Sequence, residues 1–321
     1  MKKYNKQNPL RCFFAFEGYN SQGLALNRLK YHYPDFDWVC VGRSEIEPAA
    51  IKAADALFPE NKDKNFGDIT QINWNKVPDF DLFTMSSPCQ DFSSAGKQAG
   101  GEEGSGTRSS LLWECTKAIE IKRPRYIVFE NVSALVSSKF IKGFNKWQQR
   151  LESFGYVNFA QLMNSKDYGC PQNRLRIFMV SILRTEDNPE PRYYFPKPFP
   201  LTKRLKDVLE ENVPEKYYLS DERIQGLINS TEKERERGNG FKFEPTNGGG
   251  IAHTVKTTNG SRKTDTFLYE DIPDGIDGCK SDSLKLCAKC KFDNATTECS
   301  RIHYIGRKEG FNVLNSGNPY V

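Results

Sequence analysis

The sequence predicts an α/β fold, a mostly parallel sheet with helices on both faces, followed by a smaller irregular region. Two observations predict it. From Arg11 to Leu183 short apolar runs alternate with helix-length segments, the pattern of strands and covering helices. The apolar runs end in loops rich in glycine, carboxylates and a cysteine, and that strand-to-loop edge is where open α/β sheets carry their chemistry. At 321 residues the chain has room for a large domain, placed at 1–186, and a smaller one at 187–321.

The strands are expected at Arg11 to Phe16, Trp38 to Arg43, Leu82 to Met85, Arg125 to Phe129 and Arg176 to Ser181. Helices are expected at Gly23 to Tyr31, Pro48 to Phe58, Ser110 to Ile121 and Lys139 to Ser153. The glycine-rich stretch Gly96 to Gly106 is expected to form a lid-like loop. Beyond Leu183 the character changes. Asp187 to Pro200 is rich in proline, Ser230 to Gly240 is a charged run suited to a solvated helix end or loop, and few helical signals follow Phe241.

Composition sets limits on function. Hydrophobic residues at 37% and charged residues at 27% describe a polar globular chain, and no apolar stretch approaches the roughly 20 residues of a membrane helix. The basic N-terminus lacks the apolar segment of a secretory signal. A cytoplasmic location with no membrane partner is therefore expected. Nine cysteines is an odd count for a disulfide framework, so reduced thiols are the expectation. A net charge of +5 permits a polyanionic partner without demanding one.

The run from Phe14 to Leu24 reads as a strand, a tight turn and a helix, the first unit of a nucleotide-type fold. Glycine in such a turn lets the backbone approach a ligand, and asparagine tolerates the left-handed conformation. Glu45 and Asp68 follow the next apolar runs. Each is either a ribose- or base-contacting acid of a nucleoside site or a helix cap. No P-loop lysine motif is present, so the pocket suits a nucleoside rather than a triphosphate.

The chemistry-bearing residues stand at later strand ends. Pro88-Cys89-Gln90 places a cysteine after the run Phe80 to Met85, as a candidate nucleophile or as a small buried hydrophobe. Glu130-Asn131-Val132 ends the run from Tyr126. Gln172-Asn173-Arg174-Leu175-Arg176 carries two arginines into a further apolar run.

Taken in order, these motifs resemble the C5-cytosine-specific DNA methyltransferases of phage and restriction-modification type, over residues 10 to 183. The resemblance implies a Rossmann-like methyltransferase fold, S-adenosylmethionine as cofactor, double-stranded DNA as partner, and methyl transfer to carbon 5 of a flipped-out cytosine. Phe16, Gly18, Tyr19, Asn20 and Ser21 match the first cofactor motif. Glu45, with Ile46, matches the ribose-binding acid, Asp68 and Ile69 the adenine contact, and Pro88 and Leu111 further cofactor contacts. Cys89 is implied as the nucleophile that adds to carbon 6. Glu130 is implied to bind the base, and Arg176 with Arg174 to hold its O2 edge. Gln90, Ser93 and Asn131 are the implied DNA contacts.

Two departures qualify the resemblance. Asn20 stands where the family has a second glycine and Glu17 where it has a small residue, which puts a carboxylate beside the methyl-donor pocket. The last two family motifs are not found, so the alternative is a truncated or degenerate, catalytically silent nucleic-acid-binding member, or one that takes those motifs from a partner chain. An RNA cytosine-5 methyltransferase is a second alternative. A cysteine hydrolase ranks last, since His32, His253 and His303 form no recognisable arrangement with Cys89.

In the C-terminal region Cys287 and Cys290 are spaced to share one tetrahedral metal, and with Cys279 and Cys299, or with His303, they form a candidate structural zinc site. The segment Gly248 to Thr258 resembles sequence near the recognition regions of phage-type members, or is a plain hairpin.

Overall fold

A computed structural model describes residues 4–87, 111–210, 213–214, 217–238, 240, 242–255, 265–271 and 300–304. The chain forms two compact units. The first takes in residues up to Met163 together with Leu175–Pro196, and the second takes in Asn164–Arg174 and the described residues from Lys197 onward.

The first unit is built on a six-stranded sheet: β1 (Leu10–Ala15), β2 (Trp38–Ser44), β3 (Leu82–Met85), β4 (Tyr126–Val132), β5 (Tyr156–Asn164) and β6 (Leu175–Leu183), in the order β2-β1-β3-β4-β6-β5. The pairs β1 with β2, β1 with β3, and β3 with β4 are parallel. Each parallel step is crossed by helix-bearing chain: α1 (Ser21–His32) between β1 and β2, α2 (Pro48–Leu57) between β2 and β3, and α3 (Leu111–Lys122) between β3 and β4. All five expected strands and all four expected helices are present, with ends displaced by one or two residues at most, except that β4 runs three residues further, to Val132.

Two features were not anticipated. β6 runs antiparallel to β4, and β5 adds a strand at the edge of the sheet. The β5 sequence YVNFAQLMN buries only its first residue, so it carries no clear alternation for a sequence reading to detect.

The core follows from the pleat of β1. Phe13 and Ala15 point to one face and join Phe83, Met85, Ile127, Phe129, Ile177 and Met179 beneath α3 and α4 (Ile141–Ser153). Cys12 and Phe14 point to the other face and pack with Leu10, Cys40, Leu82 and Leu26 of α1. α4 presents Phe144, Trp147 and Leu151 at a spacing of three and four, one helical face. Trp147 is fully buried, packs with its ring tilted 52° to that of Phe129 at a centroid distance of 5.0 Å, and donates its indole N–H to Thr116 Oγ1 at 3.2 Å.

The second unit holds α5 (Asp221–Glu236) and a two-stranded antiparallel sheet of β7 (Phe267–Asp271) and β8 (Ser300–Tyr304). Ile224 and Leu227 of α5 pack with Phe243 and Phe267, whose rings meet edge to face at 4.8 Å. The charged run from Ser230 forms the C-terminal half of α5. Its start at Ser220, whose side chain caps the helix, was not foreseen.

Trp147→Ala removes the largest fully buried side chain among the described residues and takes the indole donor from the Thr116 hydroxyl. We expect it to lower unfolding free energy by about 3–5 kcal/mol in urea titration.

Candidate active site

β1 leads into α1 through a turn with unusual backbone. Phe16, Gly18 and Asn20 have φ of 53°, 59° and 63°. Glycine adopts this region freely and asparagine tolerates it, whereas for phenylalanine it is strained. The Phe16 conformation is held by its N–H, which donates to Ser44 O at 2.9 Å, and by packing of its side chain on the core.

Asn20 is buried and caps α1, accepting from the Gly23 N–H at 2.8 Å while its own N–H donates to Glu17 O at 2.9 Å. A Cβ on Gly23 would lie 2.8 Å from both Asn20 Oδ1 and the Phe58 ring, so the cap closes only over glycine. Position 20 thus needs a left-handed backbone, which asparagine supplies together with the cap. Tyr19 is half-buried and Ser21 exposed on the same turn.

Glu17 does not face a ligand site. It is 3% exposed, and its Oε1 accepts from Arg43 Nη1 at 2.6 Å. Burial pushes its carboxyl above the ordinary carboxylate range, against the pull of Arg43. Arg43 also pairs with Asp55 and donates to the Asn61 and Lys62 carbonyls, each at 3.1 Å.

The end of β2 carries Glu45, whose carboxylate is tied down by backbone. Oε1 accepts from the N–H groups of Ile46 and Glu47, and Oε2 from that of Gly18, all at 2.9 Å. Ile46 beside it is 67% exposed. On the far side of β2, the Asn65 side chain brackets Glu45 by donating to its carbonyl at 3.0 Å and accepting from its N–H at 3.1 Å.

Ser44 Oγ donates to Gly67 O at 2.7 Å. These bonds hold Asp68 at the same edge. Asp68 uses Oδ1 to cap a short turn through the Thr70 N–H and hydroxyl, both at 2.9 Å. Ile69 is buried in the core, so any ligand contact from that residue is made by its backbone. Gly18, Glu45 and Asp68 therefore line one edge of the sheet.

At the neighbouring strand ends, Glu130 of β4 accepts from Ser86 Oγ at 2.5 Å through Oε2 and pairs with Arg176 Nε of β6 at 3.0 Å through Oε1. The antiparallel register makes this possible, because it sets Val132 opposite Arg176 and Glu130 opposite Phe178. Asn131 is buried and donates to Ser87 O at 3.1 Å, while its Oδ1 accepts from the Val132 N–H. Both residues of the Glu130-Asn131 pair thus hold the two serines that immediately precede Pro88.

Leu111 begins α3, half-buried against the core. Arg174 belongs to the second unit, where Nη1 donates to Val255 O at 3.5 Å and its N–H to Asn164 Oδ1 at 3.0 Å. In that unit Asn173 donates to Ala252 O and accepts from Thr254 Oγ1, both at 2.7 Å, which ties the Gln172-Asn173-Arg174 segment to the Gly248 to Thr258 stretch.

Pro88, Cys89, Gln90, Ser93, the Gly96 to Gly106 loop, and Cys279, Cys287, Cys290 and Cys299 lie outside the described residues. Among the described residues no cluster of three or more His, Cys, Asp or Glu could hold a metal, and no helix is long and apolar enough to cross a membrane. Cys12, Cys40 and Cys115 are buried, and burial pushes their thiols up, that of Cys40 to about 11, which suits core packing and not nucleophilic chemistry.

Sequence reasoning missed Arg43, Ser86 and Ser87. Arg43 carries a detectable signal, the lone charged residue in the strand WVCVGRS. The serines carry none beyond their place before Pro88.

A largely parallel sheet with ligand-facing loops on one edge is the architecture of α/β methyltransferases. Two solved structures share it: a mutant of Spodoptera frugiperda DNMT2, with TM-score 0.58 and 17% identity over 82% of this chain and 76% of that one, and the Entamoeba histolytica methyltransferase EhMeth, with TM-score 0.58 and 18% identity over 85% and 79%. At these identities the likeness fixes the fold.

A family model, C-5 cytosine-specific DNA methylase, matches residues 14–303, and the chain belongs to that family. It is 49% identical over 173 residues to the type II methyltransferase M2.ScrFI of Lactococcus lactis subsp. cremoris, covering 54% of this chain and 47% of that protein. It is 31% identical over 291 residues to the orphan methyltransferase M.SPRI of Bacillus phage SPR, covering 78% and 64%. The chain spans between about half and two thirds of the length of these relatives.

Asn20→Gly keeps the left-handed backbone, so it should change stability by only a few tenths of a kcal/mol. Asn20→Ala loses the cap and strains the backbone, and should cost about 2–3 kcal/mol in thermal or urea denaturation.

Proposed function

We propose that this chain is a DNA (cytosine-5)-methyltransferase that binds S-adenosylmethionine along the edge lined by Gly18, Glu45 and Asp68. It acts on a cytosine held against Glu130 and Arg176. The observation that carries the reading is the bonding of Glu130 to Ser86 and of Asn131 to Ser87. Through it the carboxylate that would bind the base and the two serines that precede Pro88-Cys89 in sequence share one anchorage.

The residues at the cofactor edge fit a nucleoside. Glu45 has three backbone N–H partners and keeps one lone pair on Oε2 for a ribose hydroxyl. Ile46 offers an exposed apolar side chain to the face of a purine ring, and Asp68 keeps Oδ2 clear of its own cap for an exocyclic amine. The Phe16 to Ser21 turn would face the amino-acid end of the cofactor. When bound, S-adenosylmethionine supplies the methyl group.

The chain's own residues would activate the base. Carbon 5 of cytosine is a poor nucleophile until a group adds at carbon 6, and Cys89 as thiolate would make that bond. Electron density pushed into the ring accumulates at N3 and O2. Glu130 would accept from the exocyclic amine and share a proton with N3, which also selects cytosine. Arg176, held by Glu130, would offset the charge developing at O2, with Arg174 in support. After methylation, loss of the carbon 5 proton and departure of the thiolate restore the ring and the enzyme. The ring faces that the thiolate and the methyl donor must approach are stacked in a duplex, so the target nucleotide has to leave it. Gln90 and Ser93 would serve the contacts that accompany flipping, while Asn131, buried and bonded to Ser87, would act through that serine and not by direct contact with DNA.

Duplex DNA containing 5-fluorocytosine tests the reading, because fluorine cannot leave as the proton does and the adduct is trapped. With S-adenosylmethionine present, the wild type should give a covalent band on a denaturing gel and Cys89→Ala none. Glu130→Gln should lower the methylation rate by about 10²-fold or more. No band across a sequence-diverse DNA pool, from protein that demonstrably binds the cofactor, would overturn it.

A further inference from the structure

Three consecutive residues pin the turn after β1 to the end of β2. Phe16 does so through its N–H to Ser44 O, Gly18 through its N–H to the Glu45 carboxylate, and Glu17 through its side chain to Arg43. Only the Glu17 link is buried on both sides, the two side chains being 0% and 2% exposed. Arg43 then spreads its guanidinium over three further partners: Asp55 of α2 and the carbonyls of Asn61 and Lys62. One side chain thus joins the turn, β2, α2 and the short helical turn Pro59–Lys64.

This arrangement is costly. Glu17 Oε2 is buried with no hydrogen-bond partner among the described residues, and an apolar pair of similar volume would be at least as stable as a buried ion pair with an unmade bond. What the ion pair adds is direction. Glu17 O is the acceptor for the Asn20 N–H, so fixing Glu17 fixes both the Gly18 N–H and the cap of α1.

We propose that Glu17 and Arg43 are positioning residues for methyl-donor binding, holding the backbone of residues 16–21 in its ligand-ready shape while touching neither the donor nor the base. The inference rests on the reading of that turn as the S-adenosylmethionine site.

The test combines calorimetric titration with S-adenosylmethionine and thermal melts on the wild type, Glu17→Ala, Arg43→Met and the double variant. Each single change leaves a buried charge short of its partner, so each should lower both Tm and affinity. Removing the pair together takes away the Glu17 carboxylate that Arg43→Met strands, so Tm should rise above that of Arg43→Met while staying below wild type, because Asp55 and the Asn61 and Lys62 carbonyls still lose their donor. Affinity in the double variant should stay about tenfold below wild type, the scale on which outer partners tune a ligand site. A double variant that recovers both Tm and affinity would show the pair to be merely structural.

If the double variant does not fold, Glu17→Gln against Glu17→Ala decides. Glutamine keeps an acceptor for Arg43 and should hold affinity near wild type, whereas equal losses in the two would overturn the proposal. Wild-type protein that fails to bind S-adenosylmethionine would refute the cofactor site itself, which is a different result from any of these.

Discussion

Because β2, β1, β3 and β4 run parallel, their carboxyl ends fall on one edge of the sheet, and every candidate site residue in the first unit depends on that alignment. β1 is the hinge of it. Cys12 to Ala15 pair with β3 on one side and, around a register shift at Cys12 and Phe13, with β2 on the other. The Phe16 turn, Glu45 and Ser86 then emerge within one band, and β4 adds Glu130 and Asn131. The large aromatic core that secures β1, β3 and β4 from one face is therefore also what places the site.

Antiparallel β6 contributes its first residues to this edge. A parallel neighbour would begin at the opposite edge, whereas antiparallel β6 starts at the carboxyl end of β4 and delivers Arg176 to Glu130. The antiparallel pairing of β6 with β4 is thus what brings a cation to the Glu130 carboxylate.

The parallel strands and their helices were legible because apolar runs and helix-length segments alternate cleanly there. The candidate site was legible because its residues stand at the ends of those runs. Three features were not. β5 is an edge strand whose mixed polarity hides its period. The direction of β6 follows from tertiary pairing, which local sequence does not encode. Glu17 reads in sequence as a carboxylate facing the methyl-donor pocket, and only the fold reveals Arg43 beneath it. The left-handed backbone at Asn20 lay between these cases. Asparagine signals tolerance of positive φ, but the need for it appears only with the cap to Gly23.

The central claim is that one edge of the sheet is the nucleoside site, and amide hydrogen exchange with and without S-adenosylmethionine tests it most directly. Saturating cofactor should slow exchange in peptides covering residues 16–23, 45–47 and 66–71. It should leave unchanged those around Tyr4, Tyr33 and Phe36, which line a cleft of about 890 Å³ formed by the start of the described chain and the segment after α1. Protection confined to that cleft, or spread without focus on the three strand-end segments while binding is saturated, would contradict the account.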